Sequence, residues 1–165
     1  MPMKEAELDI SFGTEEMKFN YRACAIIIRG DRVLAMRDER CPYFYLPGGR
    51  VKIGETAEEA LKREVREELG VSASIIRPLW LNQAFFTEDV DRRRYHELCL
   101  YFLTEIPETE PLPSGDGFTT AEGSRTHCFE WLEFGRLKDE YFYPLFLKKD
   151  IFRLPEEFTI RTERE

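Results

Sequence analysis

The stretch Gly49–Val71, GRVKIGETAEEALKREVREELGV, decides how this chain is read. Thr56 followed three residues later by Glu59 makes a capping box, and Gly70 stands where a helix ends in a left-handed residue, so the spacing predicts a helix over Thr56–Leu69. Advancing about 100° per residue, Ala57, Leu61, Val65 and Leu69 form one apolar stripe that must face a core. Glu68 falls inside that stripe, with Glu64 and Glu67 beside it at i, i+3 and i+4 spacing. An acidic helix face is ordinarily a solvated one. Half-buried carboxylates are costly unless paired, however, and Arg63 and Arg66 are expected to project from the other side of the helix. Three converging acids therefore call for a cation, and a hard divalent ion such as Mg2+ or Mn2+ matches carboxylate oxygens while keeping waters for substrate oxygens.

Outward from this helix the signals are mostly those of strands. Residues 7–12 read as a short edge strand, and Lys18–Arg29 pairs with Arg32–Met36 across a Gly30-Asp31 turn. Tyr43–Leu46 reads as a short aromatic strand ended by a sharp turn at Pro47-Gly48-Gly49. Ala73–Thr87 and Arg92–Ile106 read as a long hairpin, Pro107–Ser124 as a loop, and Thr126–Leu132 as a further strand. Phe134–Lys149 carries apolar residues at helical intervals with Pro144 interrupting, and Phe158–Arg161 reads as a last strand. Strands, helix, strands, helix imply an α/β (α+β) domain with a mixed or largely antiparallel sheet.

At 165 residues the chain has the size of one domain, here taken as residues 1–165 with a core over about 18–150. With 42% hydrophobic and 34% charged residues it can bury a core and is neither disordered nor fibrous. The longest apolar run, Ala23–Ile28, is far too short to span a bilayer, so no membrane association is expected. The start, MPMKEAELDI, lacks the basic and apolar regions of a secretory signal, and a cytoplasmic location is expected. Cys24, Cys41, Cys99 and Cys128 are widely separated, so reduced and mostly buried thiols are expected rather than disulfides or a zinc cluster.

The net charge of -8 argues against duplex nucleic acid as a partner. It is not spread evenly, because residues 1–17 hold five acids against one base and residues 155–165 four against two. Lys18–Lys52 holds eight basic residues against three acids and runs into Glu55–Glu68, with six acids against three bases. A small anionic substrate is thus compatible with the chain, and the acidic stretch marks where a metal must sit before that substrate binds.

From Gly49 the sequence fits G-x5-E-x7-R-E-U-x-E-E-x-G-U without a mismatch, where U is aliphatic, and this resembles the Nudix box. With Leu46-Pro47-Gly48 and the strands before it, the likeness covers roughly residues 18–135. The resemblance implies a Nudix fold, a mixed β-sheet sandwiched between helices. It implies a hydrolase acting on acid anhydrides, which attacks a pyrophosphate bond in a nucleoside diphosphate linked to another group. It also implies a small-molecule nucleotide as partner and Mg2+ or Mn2+ as cofactor. Glu64, Glu67 and Glu68 match the metal-binding glutamates and the carbonyl of Gly49 a backbone ligand; Glu67 or Glu68 matches the base that handles the attacking water. Arg63 and Glu55 match the pair that ties loop to helix and orients the acids.

Substrate contacts are less sharply marked. Arg22, Arg37, Arg50 and Lys52 are candidate diphosphate contacts, each on its own also an ordinary surface cation. Phe44, Trp80, Phe85 and Phe86 could stack on a base, though such residues are more often core. Glu97 is a candidate extra metal ligand or base, and equally a strand residue satisfied by Arg22 or Arg92. The family's substrate markers are missing. Phe86 stands fifteen residues past Val71, where a proline would suggest an ADP-ribose hydrolase, and neither Thr87 nor Glu88 is the tyrosine that would suggest dinucleoside polyphosphates. The leaving group stays open among nucleoside triphosphate, nucleotide sugar and ADP-ribose types. The alternative class is a non-catalytic Nudix-fold sensor that binds a nucleotide, which an intact glutamate set disfavours. The sequence allows a homodimer through the N-terminal strand.

Overall fold

The computed structural model describes residues 7–165; residues 1–6, the start of the acidic N-terminal stretch, lie outside the described part. In chain order the elements are β1 (Ser11–Gly13), β2 (Met17–Arg29), β3 (Arg32–Asp38), β4 (Gly48–Arg50), α1 (Ala57–Leu69), β5 (Ser74–Thr87), β6 (Arg94–Glu105), β7 (Gly117–Glu122), β8 (Arg125–Glu133), a 3-10 helix (Phe134–Asp139), α2 (Leu147–Asp150) and β9 (Thr159–Arg164). Strand β2 is the hub. It pairs in parallel with β6 and antiparallel with β1, β3 and β4, and the sheet runs β7-β8-β3-β2-β6-β5-β9.

The near-continuous apolar run of β2 is explained by burial on both faces. Ala23, Ala25 and Ile27 point to one side, where Ala57, Ala60, Leu61, Val65 and Leu69 of α1 close a core with Phe102, Phe129 and Trp131. Cys24 and Ile26 point to the other, under Leu137, Phe142, Phe146, Leu147 and Ile151 from the segment after β8. The mixed sheet covered on both faces is the expected fold class. Leu61 is fully buried, and truncating it to Ala would cost about 2–5 kcal/mol.

Several local expectations need correction. Gly48 and Gly49 do not turn the chain sharply; they form β4, laid against β2 with Cys24 opposite Gly48 and Ala23 opposite Gly49. Gly48 has φ 144°, and a Cβ there would lie 2.2 Å from the Ala23 carbonyl oxygen, so glycine is required by the closeness of β2 rather than by a turn. Tyr43–Leu46 is reduced to single bridges, Phe44 with Phe142 and Tyr45 with Met36. The expected loop at 107–124 contains β7, whose alternating Phe118-Thr119-Thr120-Ala121 is hidden between glycines and prolines; Phe118 stacks on Phe129 at 5.0 Å. The helical intervals of Phe134–Lys149 yield only the 3-10 helix and the single turn of α2. Between them the chain runs extended beside Phe44, exchanging backbone hydrogen bonds through Tyr141 and Tyr143, which gives its polar groups partners without a helix. Strand β9 runs to Arg164, three residues further than expected. Among the thiols, Cys24 and Cys99 are buried, Cys41 is half-buried and Cys128 exposed; all four are free.

Candidate active site

Helix α1 starts as its sequence dictates. Thr56 accepts a hydrogen bond from the Glu59 N–H at 3.1 Å, Glu59 accepts one from the Thr56 N–H at 2.9 Å, and Gly70 ends the helix at φ 73°. Packing of the apolar stripe then forces Glu68 inward, where it is only 6% exposed, as its place in the stripe requires. Its Oε1 accepts the Gly48 N–H at 2.9 Å. Glu64, one turn earlier, presses on β4: a Cβ on Gly49 would lie 2.5 Å from the Glu64 carboxyl carbon. Glu67 points outward and is more open to solvent.

Arg63 departs from the helical-wheel expectation. Instead of projecting away, it donates from Nε to Glu55 Oε2 at 2.7 Å, from Nη2 to Glu55 Oε1 at 3.0 Å and to the Arg50 carbonyl at 3.0 Å, and from Nη1 to Glu64 at 2.9 Å and Glu67 at 3.3 Å. The wheel fixes where a Cβ points but not where a guanidinium arrives at the end of a long stem, and the forked pairing with Glu55 draws this one over the loop. Glu55 also accepts the Lys52 N–H at 2.8 Å, so Arg63 and Glu55 together fasten the 50–55 loop to the helix.

Hydrogen bonds from Arg63 hold the Glu55 carboxyl below its ordinary range despite partial burial. Burial pushes Glu64 up, partly offset by Arg63. Burial and repulsion by Glu64 push Glu68 well above the usual carboxylate range. No cationic side chain lies within ion-pair distance of Glu68 among the described residues. Nor do three acidic, histidine or cysteine side chains converge into a ready metal cage among these residues, because Arg63 holds Glu64 and Glu67 while Gly48 holds Glu68. The donor chemistry still fits a hard divalent cation: three carboxylates on adjacent turns, the most buried without a counter-charge, facing glycine backbone with no side chain between.

These groups line one end of a cleft of about 750 Å³ whose floor is the sheet face carrying Asn20, Arg22, Glu97, Asn82 and Glu163. Arg22, Arg50, Lys52 and Glu97 all line it. Glu97 is 8% exposed, 3.7 Å from Arg22 and 3.4 Å from the Asn20 amide, so Arg22 is its partner and Arg92 is not. Phe44 and Arg37 are not brought to the cleft: Phe44 is core, 7% exposed, with the Arg37 guanidinium 4.8 Å over its ring. Trp80 is core as well, and Phe85 lies on the opposite sheet face, stacked on His96 at 4.4 Å; only Phe86 of the four aromatic candidates lines the cleft. Sequence reasoning missed Tyr43, Asn82, Arg125, His127 and Glu163, which reach the cleft from separate strands and loops and share no spacing that would have grouped them.

A family model described as NUDIX domain matches residues 18–148, most of the chain. The chain belongs to the Nudix family. Among curated Nudix relatives, the ADP-ribose pyrophosphatase of Methanocaldococcus jannaschii is 33% identical over 100 residues, covering 59% of this chain and 56% of that protein. A Bacillus subtilis (strain 168) protein provisionally named 8-oxo-dGTP diphosphatase is 29% identical over 122 residues, covering 74% of this chain and 67% of the other. The matched part spans between about a fifth and two thirds of the curated relatives' own length. Among solved structures, an ADP-ribose pyrophosphatase from Streptococcus suis 89-1591 aligns with TM-score 0.57 over 87% of this chain and 98% of that one; at 17% identity the likeness concerns the Nudix fold alone. No helix among the described residues is long and apolar enough to cross a membrane.

Proposed function

We propose that this chain hydrolyses a pyrophosphate bond in a nucleoside diphosphate linked to a further group, with Mg2+ or Mn2+ held by Glu64, Glu67, Glu68 and the Gly49 carbonyl. The observation that carries this reading is the burial of Glu68 without a counter-charge, beside a half-buried Glu64 pressed on the glycine backbone of β4 that shares its one cation, Arg63, with Glu55 and Glu67. A bound divalent ion supplies neutralisation of diphosphate charge and a more acidic water. The protein's own residues do the rest. Arg63 and Glu55 hold the loop so that Gly49 and the helix acids stay in fixed relation, and Arg22, Arg50 and Lys52 attract the anionic substrate. Glu67, the acid most open to the cleft, takes the proton of the attacking water on its carboxylate; Glu68 is tied to the Gly48 N–H and is the poorer candidate. Names among the relatives, for ADP-ribose and for 8-oxo-dGTP, both fall within this substrate class. The substrate is a free small nucleotide in the cytoplasm rather than duplex nucleic acid.

The test is hydrolysis by purified protein with Mg2+ or Mn2+ on nucleoside triphosphates, ADP-ribose, nucleotide sugars and dinucleoside polyphosphates. Release of monophosphate or pyrophosphate, abolished by EDTA and reduced on the order of 10^3-fold by Glu67→Gln, supports the reading. Binding of nucleotide with no turnover on any of them refutes it in favour of a sensor.

A further inference from the structure

Strand β9 lies beyond residues 18–148, the part that matches the family, and yet it forms the far wall of the cleft through Glu163, with Glu165 just past its end. Across the floor the strand register aligns Arg50 on β4, Arg22 on β2, Cys99 on β6 and Asn82 on β5. Three interstrand spacings of about 4.8 Å place Asn82 roughly 14 Å from the strand that carries Gly49. That is about the reach of an extended nucleoside diphosphate from its phosphorus to its base. Arg22 lies between the two ends.

The far end is built mostly of acceptors. Asn82 is 1% exposed; its Nδ2 donates to Glu163 Oε1 at 3.4 Å, and its Oδ1 has no partner among the described residues. Glu163 Oε2 accepts the Phe146 N–H at 3.1 Å, and both carboxylate oxygens keep a free lone pair. Arg161, on the same face of β9 and opposite Asn82, bonds Asp150 through Nη1 at 2.6 Å with its guanidinium 3.8 Å over the Phe146 ring, and its Nε is the one buried donor here without a partner among the described residues. Two of the tyrosine hydroxyls lining the cleft also donate away from this end, Tyr43 to Glu88 and Tyr143 to Asp89, each at 2.7 Å. Two rows along the floor, past Ala84 and Glu97, Phe86 and Tyr95 stack 5.4 Å apart at 8° and present aromatic surface.

We infer that Asn82 and Glu163 read the base of the substrate, and that they select an edge presenting adjacent N–H donors, as guanine does with its ring N–H and 2-amino group. Adenine and cytosine place an acceptor ring nitrogen beside their amino group, and uracil and thymine place one N–H between two carbonyls; each leaves an acceptor of the pair facing an acceptor. The inference rests on the proposed hydrolase reading for the position of the phosphates.

The test pairs two measurements. Calorimetric binding of GDP, IDP, ADP and UDP in EDTA reads base recognition without turnover, and kcat/KM for GTP, ITP, ATP and UTP with Mg2+ reads it during turnover. GDP is expected to bind at least about tenfold more tightly than IDP, which lacks the amino group, and than ADP or UDP. Glu163→Gln, isosteric and able to keep the Phe146 bond, and Asn82→Ala should each remove most of that preference, with melting temperatures confirming that both variants fold. Equal binding of all four diphosphates, binding of none, or a preference unchanged in both variants overturns the inference. Turnover of all triphosphates at one rate overturns it while leaving the hydrolase reading intact. Selective GDP binding with no turnover does the reverse.

Discussion

Replacing Gly49 by alanine should separate the chemistry of the site from the stability of the fold. The added Cβ would lie 2.5 Å from both the carboxyl carbon and Oε1 of Glu64, and 2.9 Å from Oε2. Ordinary contact needs about 3.5–4.0 Å, so the carboxylate must retreat by about 1 Å. Gly49 does not require a left-handed conformation, and what gives way is the end of a flexible side chain, so the stability cost should stay within about 1 kcal/mol. A displacement of about 1 Å in a positioned catalytic group is worth on the order of 100-fold in rate. Gly48→Ala is the contrasting variant: its Cβ would strike backbone, 2.2 Å from the Ala23 carbonyl oxygen and 2.8 Å from the Cys24 Cα, at φ 144°. It should lose about 3 kcal/mol or more. Melting temperature and kcat/KM on the substrate identified by the panel read the two effects side by side. The expectation is a Gly49→Ala protein that melts within about 4 °C of the parent with activity reduced on the order of 100-fold. Activity within about twofold of the parent would show that the placement of Glu64 against β4 does not matter for turnover, and would undo the reasoning.

Removing Arg63 as Arg63→Ala should cost about 2–3 kcal/mol in urea titrations, less than a fully buried pair because the side chain is 22% exposed, and Arg63→Lys should recover little of it since an ammonium cannot make the fork to Glu55. Burial raises the Glu68 carboxyl, so its ionised form weakens the fold at pH above the usual carboxylate range; Glu68→Gln should raise the melting temperature in EDTA at pH 8 by about 2–4 °C, while Mg2+ should stabilise the parent and not the variant. Asp38 is buried, yet hydrogen bonds from the Arg40 backbone, the Arg40 side chain and Arg125 hold its carboxyl down to about 2, so it adds about 2 kcal/mol above pH about 4 that is lost as the pH falls toward about 2. The stability gap between parent and Asp38→Asn should therefore narrow between pH 6 and pH 3, and a gap independent of pH would remove this account.

What could be read along the chain follows the range of the forces involved. The capping box, the apolar stripe and the C-terminal glycine of α1 are local, and the helix begins and ends where they place it. The hairpin of β5 and β6 is equally local, joined through the acidic turn at 88–91. Strand β7 and the 134–151 segment escaped because tertiary pairing, with β8 in one case and with Phe44 in the other, outweighs weak or misleading local patterns.

The sequence by itself determined the acids: their order, their spacing and the inward position of Glu68 are properties of one helix with one apolar face. That Glu55 pairs with Arg63 came only from the resemblance of the stretch to the Nudix box, since the helical wheel alone turns Arg63 away. Only the tertiary structure decided that Arg63 turns back over the carboxylates, that Arg22 and Glu97 meet, that Phe44 is core, and that Asn82 and Glu163 close the far end of the cleft. These contacts join residues up to 81 positions apart through strand order, and strand order arises from burying both faces of the sheet at once rather than from any neighbouring residues.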